Sequence, residues 1–240
     1  MPPALVLLHG FTHTGASWDP VIAGLGERYR SLAPDIRGHG ASSEIAPVML
    51  EAVLGDVSRM ESSSFTLVGY SMGGRIALHV ALALSDRIDR LVLVGAGPGI
   101  SDPAEADARR RADARLAERI ERSSIEAFAR HWATTPVLGE QPPEVADAAH
   151  ADRLRSTPAG LARALRGLGT GALPSLWNRL AELTMPITLV AGERDRRFAG
   201  IAEQMARKLP QSHTVIVPGV GHAAHLEAPE RIAAIILGSG

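Results

Sequence analysis

The stretch Phe65-Thr66-Leu67-Val68-Gly69-Tyr70-Ser71-Met72-Gly73-Gly74-Arg75-Ile76-Ala77 changes character at its midpoint. Residues 65–68 form a short apolar run of strand length, and from Met72 onward small and apolar residues continue as a helix. Between them lies Gly-x-Ser-x-Gly, the pattern of a sharp strand-to-helix elbow. A serine at its apex must take a strained backbone conformation that lifts its hydroxyl clear of the sheet. Gly69 and Gly73 remove side chains that would collide across so tight a turn. The helix N-terminus then aims free N–H groups at any anion forming beside Ser71. Ser71 is therefore a candidate nucleophile or base rather than a packed serine.

Outward from this elbow the chain alternates. Apolar runs of strand length occur at 4–8, 31–33, 65–68, 91–94, 187–190 and 213–217, with helical patterns at 18–29, 48–60, 72–84 and 199–208. Near-continuous apolar runs suit strands buried on both faces of a parallel sheet. The alternation predicts an α/β fold with a doubly wound, mostly parallel sheet of about six strands. The segment 101–183 breaks the rhythm: it is rich in Ala and Arg, helical in pattern and without a convincing strand. It is expected to be a helical cap inserted into a core made of 1–100 and 184–240.

The 240 residues suffice to bury a large core, and the chain contains no cysteine, which excludes disulfides and thiolate metal sites. A formal charge of −1 provides no global field for nucleic acid or an anionic membrane. The run at 4–8 is too short to span a bilayer, and no leader pattern precedes it. The expectation is a cytoplasmic monomer or homodimer that uses no metal or other cofactor.

An activated serine needs a base, an acid to orient it, and donors for a developing oxyanion. His9-Gly10-Phe11 follows the first strand, so the backbone N–H groups of Phe11 and Met72 are the candidate donors. In the order serine, acid, histidine, Asp195 ends the run Ile187-Thr-Leu-Val-Ala-Gly-Glu-Arg-Asp195, and Glu193 and Asp35 compete with it. His222 follows Val217-Pro-Gly-Val-Gly in a glycine-rich loop after the last strand. His79 lies inside a helix, His39 in the turn Arg37-Gly-His-Gly, and His225 on the turn beyond, so His222 is the candidate base.

Together, His9-Gly-Phe, Asp35-x-Arg-Gly-His-Gly, Gly69-Tyr-Ser-Met-Gly-Gly-Arg and Gly192-Glu-Arg-Asp resemble the α/β-hydrolase superfamily along almost the whole chain. Gly97-Pro-Gly-Ile100, Arg109-Arg-Arg-Ala-Asp113, Trp132-Ala-Thr-Thr-Pro136-Val137, Leu154-Arg-Ser156 and Gly192-Glu-Arg-Asp-Arg-Arg-Phe198 are similar to the 2-succinyl-6-hydroxy-2,4-cyclohexadiene-1-carboxylate synthases. The resemblance implies a lyase of menaquinone biosynthesis that removes a ring proton and expels pyruvate from 2-succinyl-5-enolpyruvyl-6-hydroxy-3-cyclohexene-1-carboxylate. The alternative is a serine carboxylesterase or carbon–carbon hydrolase working through an acyl-enzyme, and a second rival is a non-catalytic receptor on the same scaffold. The resemblance also implies a hairpin preceding the first strand in most relatives, which this chain is expected to lack.

A small polyanionic carboxylate substrate calls for fixed cations, and arginine grips carboxylates through a planar fork. Arg75 places a cation in the first turn of a helix, against the dipole, where an anion would compensate. Arg109 shares a helical face with Leu116 and Ile120, so it should point inward while Arg110 and Arg111 rotate away. Arg155 precedes Thr157 and Pro158, an N-cap and first-turn pair, which would put it at a helix entrance. By resemblance these three arginines hold the carboxylates, and Trp132 and Tyr70 line the site. Arg197 is a weaker candidate, because a loop arginine is more often solvated.

Overall fold

The computed structural model describes residues 1–135, 138 and 141–238. Pro136 and Val137, named in the sequence motifs, lie outside the described residues. Six strands form one parallel sheet: β1 (Ala4–Leu8), β2 (Arg30–Leu32), β3 (Phe65–Tyr70), β4 (Ile88–Val94), β5 (Ile187–Gly192) and β6 (Ser212–Val217). Their spatial order is β2-β1-β3-β4-β5-β6. The chain reverses direction across the sheet between β1 and β3, and in such sheets ligands bind at that switch, beyond the carboxyl ends of the strands. Here β1 leads into Gly10-Phe11 and β3 into Ser71.

The helices follow from the same sequence logic. α1 (Asp19–Leu25), α2 (Leu50–Met60), α3 (Met72–Ala83), α8 (Arg196–Ala206), α9 (Ala224–Glu227) and α10 (Pro229–Ile236) cover the sheet, while α4 (Pro103–Glu121), α5 (Ile125–Ala133), α6 (Pro143–Arg153) and α7 (Pro158–Leu168) fill the interval between β4 and β5. Starts are marked by capping residues: Asp102 accepts Glu105 N–H, Ser124 accepts Ala127 N–H, and Thr157 accepts Gly160 N–H with Pro158 in the first turn. One apolar cluster on one face of the sheet joins Val6, Leu8, Leu67, Ile76 and Leu93. The opposite face joins Leu5, Leu7, Trp18, Val68, Val92 and Ile232. A third cluster, Ala117, Ile120, Phe128, Leu161 and Leu165, belongs to the inserted helices and reaches Phe11 and Trp132.

The inserted helices are tied to the sheet edge by polar contacts. On α6, Asp152 accepts Thr14 N–H at 2.9 Å, faces His13 Nδ1 at 3.2 Å, and also accepts the Thr14 hydroxyl. Ser156 Oγ accepts Gly40 N–H at 3.0 Å. The Asp152 bonds fix the inserted helices to the loop after β1, which carries Phe11, and the Ser156 bond fixes them to the loop after β2. Among the described residues no helix is long and apolar enough to cross a membrane.

Candidate active site

At the elbow, Ser71 adopts φ +51° and ψ −109°, a left-handed conformation that costs a non-glycine residue of order 1–3 kcal/mol. The surroundings over-determine it. Ser71 N–H bonds Val94 O at 2.9 Å, and Ser71 O accepts Arg75 N–H at 3.0 Å. A Cβ at Gly69 would lie 2.6 Å from Gly73 O, and one at Gly73 would lie 2.3 Å from Leu8 O, so both glycines are required by close approach.

The strained serine faces the expected histidine. Ser71 Oγ is 3.0 Å from His222 Nε2, and His222 Nδ1 is 2.6 Å from Asp195 Oδ2. Asp195 is also the N-cap of α8, its Oδ1 accepting Phe198 N–H at 3.3 Å, so the helix start holds the carboxylate in place. The competitors are engaged elsewhere. Glu193 accepts Gly219 N–H, and Asp35 accepts the N–H groups of Gly15 and Ala41. His79 sits beyond Arg75 on α3, and His39 and His225 are fully buried in the fold.

Both proposed oxyanion donors are available. Met72 is the first residue of α3, so its N–H has no intrahelical partner. Among the described residues no backbone carbonyl outside the helices and strands accepts the N–H of Phe11. The neighbouring Thr12 has φ +72°, a second strained residue in the same wall. His9 is structural: its Nε2 accepts Ile36 N–H at 2.8 Å, and burial lowers its pKa to about 4.

A cavity of about 280 Å³ opens onto Ser71 and His222 and is lined by Phe11, Met72, Trp132 and Phe198, among others. Three arginines reach it: Arg75, Arg109 and Arg197. Arg75 is 8% exposed, and its Nε is buried without a hydrogen-bond partner. Burial lowers its pKa to about 10, and Arg109 and Arg197 push in the same direction while Asp113 opposes them. Arg109 points inward as its helical phase requires, but it meets an internal anion, with Nε donating to Asp113 Oδ1 at 2.7 Å. Trp132 packs edge-to-face on Phe11 with ring centroids 5.3 Å apart, so it serves cap packing and cavity wall together. Tyr70 is 3% exposed and lines a smaller adjoining hollow with Ser71, Trp132 and His222.

Arg155 is a correction. It is exposed just past α6 and lines a separate surface pocket with His13, Ala16 and Leu226. Thr157 does cap the next helix as its sequence predicts, but the turn between α6 and α7 carries Arg155 outward. The buried arginine of this segment is Arg153, fully enclosed, with Nε 3.4 Å from Thr12 Oγ1. Sequence reasoning also passed over Asp113 and Phe198 as individual site residues. Asp113 carried a signal, since its spacing of four from Arg109 puts it on the same helical face. Among the described residues no group of His, Asp or Glu is arranged to hold a metal ion.

The chain is similar to known proteins along nearly its whole length. Residues 5–235 match the model of the alpha/beta hydrolase family. The 2-succinyl-6-hydroxy-2,4-cyclohexadiene-1-carboxylate synthase of Enterobacter sp. (strain 638) is 34% identical over 98% of this chain and 90% of that protein. The solved structure of MenH from S. aureus superposes with a TM-score of 0.93 at 33% identity, covering 99% of this chain and 92% of that one. A thermophilic esterase from Thermogutta terrifontis, solved with malate bound, gives 0.86 at 28% identity, covering 99% and 89%. With a family match over nearly its whole length and a synthase relative at 34% identity, this chain belongs to the alpha/beta hydrolase family.

Proposed function

We propose that the protein is a cytoplasmic lyase that converts 2-succinyl-5-enolpyruvyl-6-hydroxy-3-cyclohexene-1-carboxylate to 2-succinyl-6-hydroxy-2,4-cyclohexadiene-1-carboxylate and pyruvate. The observation that carries this reading is Arg75, a buried cation in the same cavity as Ser71 and His222 whose Nε has no hydrogen-bond partner and which pairs with no carboxylate among the described residues. A buried charge left unpaired is costly, and a neutral ester would not relieve it. A tricarboxylate substrate would. The Enterobacter relative, named as the synthase of this product, supports the same reading.

In the mechanism, Asp195 holds His222 in the tautomer whose Nε2 accepts the Ser71 proton, and stabilises the imidazolium that forms. Ser71 takes the proton from the ring carbon bearing the succinyl ketone. The electron pair of that C–H bond moves onto the ketone oxygen, where the N–H groups of Phe11 and Met72 stabilise the enolate. When the enolate collapses, the ring double bond shifts and the C–O bond to the enolpyruvyl group breaks. The proton returns to the departing enol, which becomes pyruvate. Arg75 and Arg109 fix the substrate's carboxylates so that the reacting C–H meets Ser71 Oγ.

A test follows from Arg75. Arg75→Ala should lower kcat/KM for pyruvate release by about 10- to 1000-fold, the scale of losing a charge-assisted hydrogen bond or somewhat more. An unaltered kcat/KM would remove the anion argument. The second reading, hydrolysis of an ester or a carbon–carbon bond through an acyl-enzyme, is favoured by the same triad geometry and by the likeness to the Thermogutta esterase.

A further inference from the structure

The three cavity arginines approach the reacting centre from different sides. Arg75 lies on α3, three residues beyond the oxyanion donor Met72, a rise of about 4.5 Å along a helix. Arg109 comes from α4 in the cap, paired with Asp113. Arg197 comes from the first turn of α8, immediately after the acid Asp195. Its guanidinium lies 5.8 Å from the centroid of the Phe198 ring, and that ring packs on His222 at 4.7 Å. Arg197 is thus anchored on the side of the base.

Among the described residues no carboxylate neutralises this charge. Arg197 has no ion-pair partner among the described residues, it is exposed to the cavity mouth, and as a cation in a first helical turn it opposes the helix dipole. Three cations and the one carboxylate of Asp113 leave the cavity with surplus positive charge. The substrate proposed above has three carboxylates: one on the succinyl arm, one on the ring, and one on the enolpyruvyl group.

Resting on that reading, we infer that Arg197 is a substrate-binding residue that holds the carboxylate of the leaving group, a 2-oxo acid after departure. The enolpyruvyl oxygen is attached across the ring from the carbon that loses its proton, so the two ends of the reaction face different walls. The elbow side takes the ketone and its arm, and the α8 side takes the leaving group. When the C–O bond breaks, the electron pair goes to the enolpyruvyl oxygen. His222, carrying the proton relayed from Ser71, is then adjacent to the group that must receive it. Arg197 keeps that group in place until the transfer is complete, and no further reactant is needed.

The test compares Arg197→Ala, Arg197→Lys and the neighbour Arg196→Ala, whose side chain does not line this cavity. Pyruvate binding to each folded protein is measured by ligand-observed NMR titration, which needs no turnover. 4-Oxo-4-phenylbutanoate, a mimic of the ketone and succinyl arm, is titrated in parallel. Arg197→Ala should weaken pyruvate binding at least 10-fold, with Arg197→Lys intermediate and Arg196→Ala within 2-fold of wild type. Binding of the arm mimic should stay within 2-fold in all three. Unchanged pyruvate binding in Arg197→Ala, no pyruvate binding by wild type, or an equal loss of both ligands overturns the assignment. Failure of the lyase reading shows separately, as wild-type protein that releases no pyruvate from substrate.

Discussion

Arg109 donates through Nε to Asp113 Oδ1 at 2.7 Å, one turn further along the same helix. That contact uses the inner edge of the guanidinium and leaves the outer pair of nitrogens for a ligand carboxylate. Asp113 is buried, and its second oxygen has no hydrogen-bond partner among the described residues, an arrangement that costs about 1–3 kcal/mol. Asp113→Ala should therefore raise KM by about 10-fold with a smaller change in kcat. The thermal midpoint should hold or rise. A falling midpoint with unchanged KM would make Asp113 a structural residue only.

The acid assignment separates two nearby carboxylates. Asp195 reaches His222 at 2.6 Å, whereas Glu193 accepts the Gly219 N–H. Asp195→Asn keeps the shape but presents an amide N–H to the histidine, favouring the wrong tautomer, so kcat should fall about 10⁴-fold. Glu193→Gln should stay within a few-fold of wild type. Steady-state kinetics on the two variants decide the matter, and the reverse ranking would transfer the role to Glu193.

Acid sensitivity should come from the buried histidines. Burial lowers the His9 pKa to about 4, and its Nε2 accepts the Ile36 N–H, which requires the unprotonated nitrogen. His39 and His225 are also pushed well below 6.5, first by burial and then by neighbouring histidines. The unfolded chain takes up these protons first as pH falls, so the stability is complete above about 6.5 and is lost toward pH 4. His9 alone accounts for about 3 kcal/mol over that window. The melting midpoint should decline steadily from pH 6.5 to 4.5; a flat profile would contradict buried neutral histidines.

The triad was legible because each member follows a strand in a turn whose glycines have a steric reason to be there, as at Gly69 and Gly73. The inward face of Arg109 was legible from helical phase alone. Arg155 was not, because its direction depends on how α6 docks through Asp152 onto Thr14, a contact 138 residues apart in sequence. The same docking buries Arg153 instead. Arg197 looked like a solvated loop arginine. Only the assembled fold puts it on the wall of the cavity that holds Ser71 and His222, beside Phe198, which packs on His222.

The most direct test of the central claim is pyruvate release by the purified protein from 2-succinyl-5-enolpyruvyl-6-hydroxy-3-cyclohexene-1-carboxylate, followed by coupling to lactate dehydrogenase, with Ser71→Ala and a neutral aryl ester in parallel. The predicted result is rapid pyruvate release that drops by several orders of magnitude in Ser71→Ala, with slow ester cleavage. No pyruvate above background alongside fast ester cleavage would contradict the lyase assignment and make the protein an esterase.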